Sequence, residues 1–183
     1  MLERDTPRRA RWLRALLALT FLLDAGASAG QAGNLPAEEV RVSVLGRFDS
    51  GLVSAVNEAV REASRKLARP ECQKVFGDFQ DRAGRSLQEN LDAKKETGSG
   101  YLRWLVFYNG LGEPLCARHG VYAATSPGDR FIRLCGDFKK IAAGDLGLAS
   151  ALIIHEELHS LGLAENPPST FEITQKVVGR CGR

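Results

Sequence analysis

The stretch Asp145–Glu165, DLGLASALIIHEELHSLGLAE, decides how the rest of the chain is read. Leu148, Ala149, Leu152, Ile153 and Leu161 recur with helical spacing, which predicts a helix from about Asp145 to Leu161. Within it lies His155-Glu156-Glu157-Leu158-His159. Residues four apart on a helix stand one turn above the other on the same face, so both imidazoles can reach one metal ion. Glu156 sits beside that ion and is the candidate general base. Three residues on, Gly162 can end the helix in a left-handed conformation, because it has no Cβ to clash. The chain then doubles back, and Glu165 can face the same ion. Imidazole and carboxylate donors suit Zn²⁺ with one coordination position open.

The pattern His155-Glu156-x-x-His159-x-x-Gly162-x-x-Glu165 resembles that of the zincin metallopeptidases, and its extended form is similar to the metzincins and their relatives. In those families the last position is a third metal ligand, His or Asp, where this chain has Glu165. Metzincins also carry a methionine turn, whereas the single methionine here is Met1. The resemblance thus implies a small zincin-like domain outside the named metzincin branches. Glutamate-zincins place their third ligand on a following helix, and Glu172 is the alternative on that pattern. Ser169 and Glu172 also form an S-x-x-E capping box ahead of Phe171, Ile173, Val177 and Val178, which gives Glu172 a structural role. The implied activity is zinc-dependent hydrolysis of peptide bonds in a peptide or protein substrate. Tyr101, Tyr108 and Tyr122 are the candidates for stabilising the oxyanion. The competing readings are a zincin-like binding or structural module that holds metal without turnover, and a disulfide-bonded domain with no metal.

Upstream, Arg8, Arg9, Arg11 and Arg14 precede the apolar run Ala15–Leu23, and Ala27-Ser28-Ala29 supplies a small-x-small cleavage pattern. That is the layout of a secretory signal peptide, residues 1–29. The run is too short to span a membrane, which needs about 20 apolar residues. The reading is a secreted or periplasmic protein with no membrane association after cleavage after Ala29. Cys72, Cys116, Cys135 and Cys181 all fall downstream, which in an oxidising compartment predicts two disulfides. The expected pairs are Cys116–Cys135, across a hairpin, and Cys72–Cys181.

The whole chain has 183 residues, 44% hydrophobic and 26% charged, the make-up of one folded domain. Residues 30–183 carry 20 basic and 19 acidic side chains, too even a balance for a nucleic-acid partner. Residues 30–39 read as a linker and 40–183 as the domain. Val40–Val44 alternates like a strand. Asp49 or Ser50 can cap a helix carrying Leu52, Val53, Val56, Ala59, Val60, Ala63 and Leu67 on one face, stopped at Pro70. A second helix is expected from about Glu71 to Ala93, burying Cys72, Val75, Phe76, Phe79, Leu87 and Leu91. Tyr101–Tyr108, Val121–Ala124 and Phe131–Cys135 then read as a short antiparallel β meander. Trp104 and Phe107 are expected to pack in that sheet. Lys94-Lys95 and Lys139-Lys140 read as solvated faces, and His119 as a surface residue. The fold class is α+β: two helices, the meander, the H-E-x-x-H helix and a C-terminal helix.

Overall fold

Helix α1 (Ser50–Leu67) turns one apolar face inward, and Val56, Ala59, Val60, Ala63 and Leu67 are fully buried on it. This is the first long element of the computed structural model, which describes residues 43–45 and 50–182. The predicted signal peptide and linker, and Asp49 as a cap, lie outside the described residues.

The second helix does not run as expected. The chain makes one turn of helix α2 (Pro70–Gln73), tightens to a 3-10 turn at Lys74–Gly77, and leaves helical structure. Asp81 then closes a loop. Its Oδ1 accepts the N–H groups of Ala83 and Arg85, and its Oδ2 holds the Arg85 guanidinium. Only after this loop does helix α3 (Leu87–Ala93) begin, under a Ser86–Glu89 capping box. The six residues expected inside are nonetheless buried, Cys72 through Leu91. Apolar spacing identified the core, while Asp81 and Gly84 broke the backbone between its two halves.

The β region is corrected more deeply. Thr97 caps a short helix α4 (Gly98–Tyr101), its hydroxyl accepting the Gly100 N–H. A Cβ at Gly98 would overlap the Phe76 ring, so this glycine is where α4 meets the core. A 3-10 turn at Leu102–Trp104 follows, and strand β2 is confined to Val106–Asn109. Phe107 packs in the sheet as expected, but Trp104 lies outside it, 46% exposed. The sheet has four strands in the order β1 (Ser43–Leu45), β2, β4 (Phe131–Leu134), β3 (Ala123–Ala124). The β1–β2 and β2–β4 pairs are parallel, with Ser43 opposite Val106 and Val106 opposite Phe131. Among the described strands only the β3–β4 hairpin is antiparallel, so the meander is replaced by a mixed sheet. Parallel neighbours need crossover connections, and helices α1 to α4 lie between β1 and β2. The class remains α+β.

Helix α5 (Phe138–Gly144), which sequence reading missed, precedes helix α6 (Leu146–Ser160), capped where Asp145 accepts the Leu148 N–H at 2.8 Å. Helix α7 (Thr170–Cys181) opens with the expected Ser169–Glu172 capping box. Helix α6 is central. It packs against α1, α5, α7 and the edge strand β3, and a helix that is apolar most of the way round must be enclosed. Two disulfides bind the outer segments to this frame: Cys72–Cys181 joins α2 to α7, and Cys116–Cys135 closes the loop before β3 on the end of β4. Among the described residues no helix is long and apolar enough to cross a membrane.

Two outcomes follow. Cys72 and Cys181 are separated by 109 residues and Cys116 and Cys135 by 19. Loop-closure entropy therefore makes Cys72→Ala/Cys181→Ala the costlier pair, at about 5 kcal/mol against about 3 kcal/mol for Cys116→Ala/Cys135→Ala, read from denaturant midpoints. The second concerns acid. A hydrogen bond from Asn90, joined by those of the Arg85 and Ala83 N–H groups, lowers the Asp81 carboxyl from 3.8 to about 2. Its folded pKa is depressed, so its stabilising contribution is complete above pH 4 and drains away towards pH 2. Asp81→Asn should be less stable than the parent at pH 5, with the gap closing by pH 2.

Candidate metal centre

Helix α6 ends in the turn the sequence asks for. The N–H of Leu163 donates to the carbonyl of Leu158 at 3.1 Å and that of Gly162 to His159 at 2.8 Å, the double closure of a Schellman cap. Gly162 has φ +113°, a region L side chains avoid, and a Cβ there would lie 3.1 Å from that of Asp81. Leu158 and Leu163, at the two ends of the closure, are both buried. Beyond the cap the chain turns back over the helix, bringing Glu165 to the histidine face.

Three donor atoms converge there. His155 Nε2 and His159 Nε2 lie 2.9 Å apart. Glu165 Oε1 is 3.3 Å from the second and 3.8 Å from the first. Each is held from behind. His159 Nδ1 is 2.8 Å from the carbonyl of Leu163. A carbonyl only accepts, so Nδ1 carries a proton, and Nε2 is the nitrogen turned toward the cluster. His155 Nδ1 is hydrogen-bonded to the hydroxyl of Thr174, on α7, at 3.0 Å. Thr170, at the start of α7, donates its hydroxyl to Glu165 Oε1 at 2.7 Å. Burial, with His159 beside it, pushes the His155 pKa down to about 3, so the ring is neutral, the form that ligates metal. The cluster can hold a metal ion.

The two acids between the histidines face different ways. Glu156 is 4% exposed and lines the cleft that opens on the cluster. Burial pushes its carboxyl up to about 8, and the Glu165 charge adds to this, against hydrogen bonds from the Thr125 hydroxyl and N–H. Its Oε2 has no hydrogen-bond partner among the described residues. Glu157 is about 200° round the helix from His155 at 100° per residue, and is completely buried with neither oxygen hydrogen-bonded. Burial raises its carboxyl well above the usual 4.5, because a charge there would be cut off from water. Sequence reading gave Glu157 no role; its angular position on an otherwise apolar helix was the available signal.

The cleft has a volume of about 510 Å³, with Tyr122, Thr125, Pro127 and Leu152 among its walls. Of the three tyrosines considered, Tyr122 faces it. Tyr101 instead bonds Ser160 Oγ at 3.0 Å in the interior, and Tyr108 lies beneath the Arg133 guanidinium. Glu172 is not in the cluster: its Oε2 accepts the N–H and hydroxyl of Ser169 at 2.8 and 2.7 Å. His119 is exposed and lines neither the cluster nor the cleft. Thr125, Thr170 and Thr174 were not singled out from sequence, since threonines so placed carry no pattern of their own. Compared with known proteins, the chain matches no family model, and neither a curated protein nor a solved structure matches it.

Hydroxyls behind metal-ligating imidazoles set ring orientation and donor strength. Thr174→Val should weaken metal binding about 10- to 100-fold in competition with a chromophoric chelator, without loss of helix by circular dichroism. Thr174→Ser should restore most of it.

Proposed function

We propose that the chain is a zinc-dependent peptidase, zincin-like in its metal site, that works outside the cytoplasm. The observation that carries the reading is the convergence of His155 Nε2, His159 Nε2 and Glu165 Oε1 within 3.8 Å, beside Glu156 in one cleft. Donors about 2.0–2.1 Å from a tetrahedral zinc stand about 3.3 Å from each other, close to these separations. Two imidazoles and a carboxylate, with no thiolate, are the donor set of a hydrolytic rather than a structural zinc site. When bound, zinc supplies Lewis-acid polarisation of the scissile carbonyl and activates water.

The chain's own groups do the rest. With the pKa of Glu156 near 8, its carboxyl keeps its proton in the bare protein at pH 7. A dication held by His155, His159 and Glu165 would favour the ionised form of Glu156, the form in which this residue acts as a base. Glu156 then accepts the proton of the attacking water and returns it to the leaving amine. Thr125 keeps the carboxyl in place from the rim of the cleft. Tyr122, the one of the three candidate tyrosines that lines the cleft, is the proposed donor to the oxyanion. The signal-peptide pattern of residues 1–29 and the two disulfides support a secreted or periplasmic location.

Metal content and hydrolysis test this together. The purified protein should carry one zinc and cleave peptides, with cleavage lost to chelator and restored by zinc. Glu156→Gln should keep the zinc and lose activity by at least about 100-fold, because it removes the base alone. His159→Ala should lose zinc and activity together. One tightly held zinc without cleavage identifies a metal-holding module; no zinc in the parent protein overturns the reading.

A further inference from the structure

The charges on the cleft wall go beyond the metal site. Arg65, Arg85, Arg103, Arg133 and Arg180 each hold a carboxylate within 3 Å. Arg82 and Arg118 do not form an ion pair among the described residues, and both line the cleft that contains His155, Glu156, His159 and Glu165. They come from segments far apart in the chain. Arg82 projects from the loop closed by Asp81, where Arg85 takes up the carboxylate. That loop is anchored beside the metal cluster, because Asn90 donates to both Asp81 Oδ2 at 3.0 Å and the carbonyl of Leu161 at 2.9 Å. Arg118 sits two residues beyond Cys116, whose disulfide to Cys135 fixes that turn to β4. The nearby Glu113 is occupied by Arg133.

The carboxylates lining the cleft are also spoken for. Glu165 holds the Thr170 hydroxyl and faces the histidines, and Glu156 is buried against Thr125. Two guanidiniums are thus left over in a cleft that a bound dication makes more positive still. Guanidinium forks match a carboxylate, donating to its two oxygens through two parallel hydrogen bonds.

We infer that Arg82 and Arg118 are specificity residues that select substrates carrying a carboxylate next to the bond to be cut. The carboxylate belongs either to an Asp or Glu side chain or to the peptide's free C-terminus. This rests on the peptidase reading for its substrate class, but the charge preference can be read without turnover.

The test is peptide binding to zinc-loaded Glu156→Gln protein, followed by fluorescence anisotropy at low and high salt. Three labelled peptides are compared: a neutral one ending in a free carboxylate, one with an internal Glu and an amidated end, and the amidated Gln control. At least one carboxylate peptide should bind about tenfold tighter than the control, and which of them does so identifies the source. The preference should shrink at high salt. Arg82→Gln/Arg118→Gln should abolish it, while Arg61→Gln, an exposed arginine on α1 outside the cleft, should leave it intact. Equal affinity for all three peptides overturns the inference, as does a preference that survives the double substitution. Hydrolysis by the unsubstituted protein is scored separately. A preference without hydrolysis supports the arginine assignment and overturns the peptidase reading; hydrolysis without a preference does the reverse.

Discussion

Four ionisable side chains on one and a half turns of helix α6 are taken almost wholly out of water, and the rest of the domain is arranged around that burden. His155, Glu156, Glu157 and His159 are each at most 4% exposed. A buried polar group without a partner costs about 1–3 kcal/mol, and a buried charge costs more. The histidines meet the cost through hydrogen bonds to Thr174 and to the Leu163 carbonyl. Glu156 is met by Thr125. Glu157 has no hydrogen-bond partner among the described residues, and the apolar packing of α6 against α1 and α5 offsets that cost.

Because α6 is surrounded, each neighbour is committed to a position relative to it. Helix α7 lies where Thr174 meets His155 and Thr170 meets Glu165, and its capping box and disulfide hold it there. The Asp81 loop is fixed against Gly162, which is glycine for reasons of both conformation and space. Strand β3 reaches the helix as well, with the Gly128 N–H of the following turn donating to the His159 carbonyl at 2.9 Å. Sheet edge, loop and C-terminal helix thus form three walls of one cleft.

Helix α6 and its three convergent side chains were readable because their determinants are local: fourfold spacing, a stop glycine, and a residue three further on. Helix α1 and the capping box of α7 were readable for the same reason. Both disulfide pairs were also anticipated, one of them through the β3–β4 hairpin that is indeed antiparallel. Strand order was not readable. Nothing in Val106–Asn109 announces that its neighbours are Ser43–Leu45 and Phe131–Leu134, both in parallel, since pairing across crossovers is decided by tertiary packing. Tyr101 to Trp104 has the composition of a strand yet is helical, because Thr97 caps it and Gly98 lets Phe76 approach. The arginines of the cleft were invisible for a related reason: which cations lack partners is known only once all the others have found theirs.

The hydroxyls that steady His155 and Glu165 follow them in the chain. As the polypeptide is synthesised, His155 and His159 exist before Thr170 and Thr174, and α6 is complete before the segment that must cover it. Until α7 docks, the His155 ring lacks the Thr174 hydroxyl and Glu165 lacks the Thr170 hydroxyl that steadies it, while His159 is already held by the Leu163 carbonyl of the α6 cap. Assembly of the centre is therefore a late event, coincident with pairing of Cys181 to a partner made 109 residues earlier. A nascent chain halted at Gly162 would display the whole H-E-x-x-H motif and yet have no finished centre.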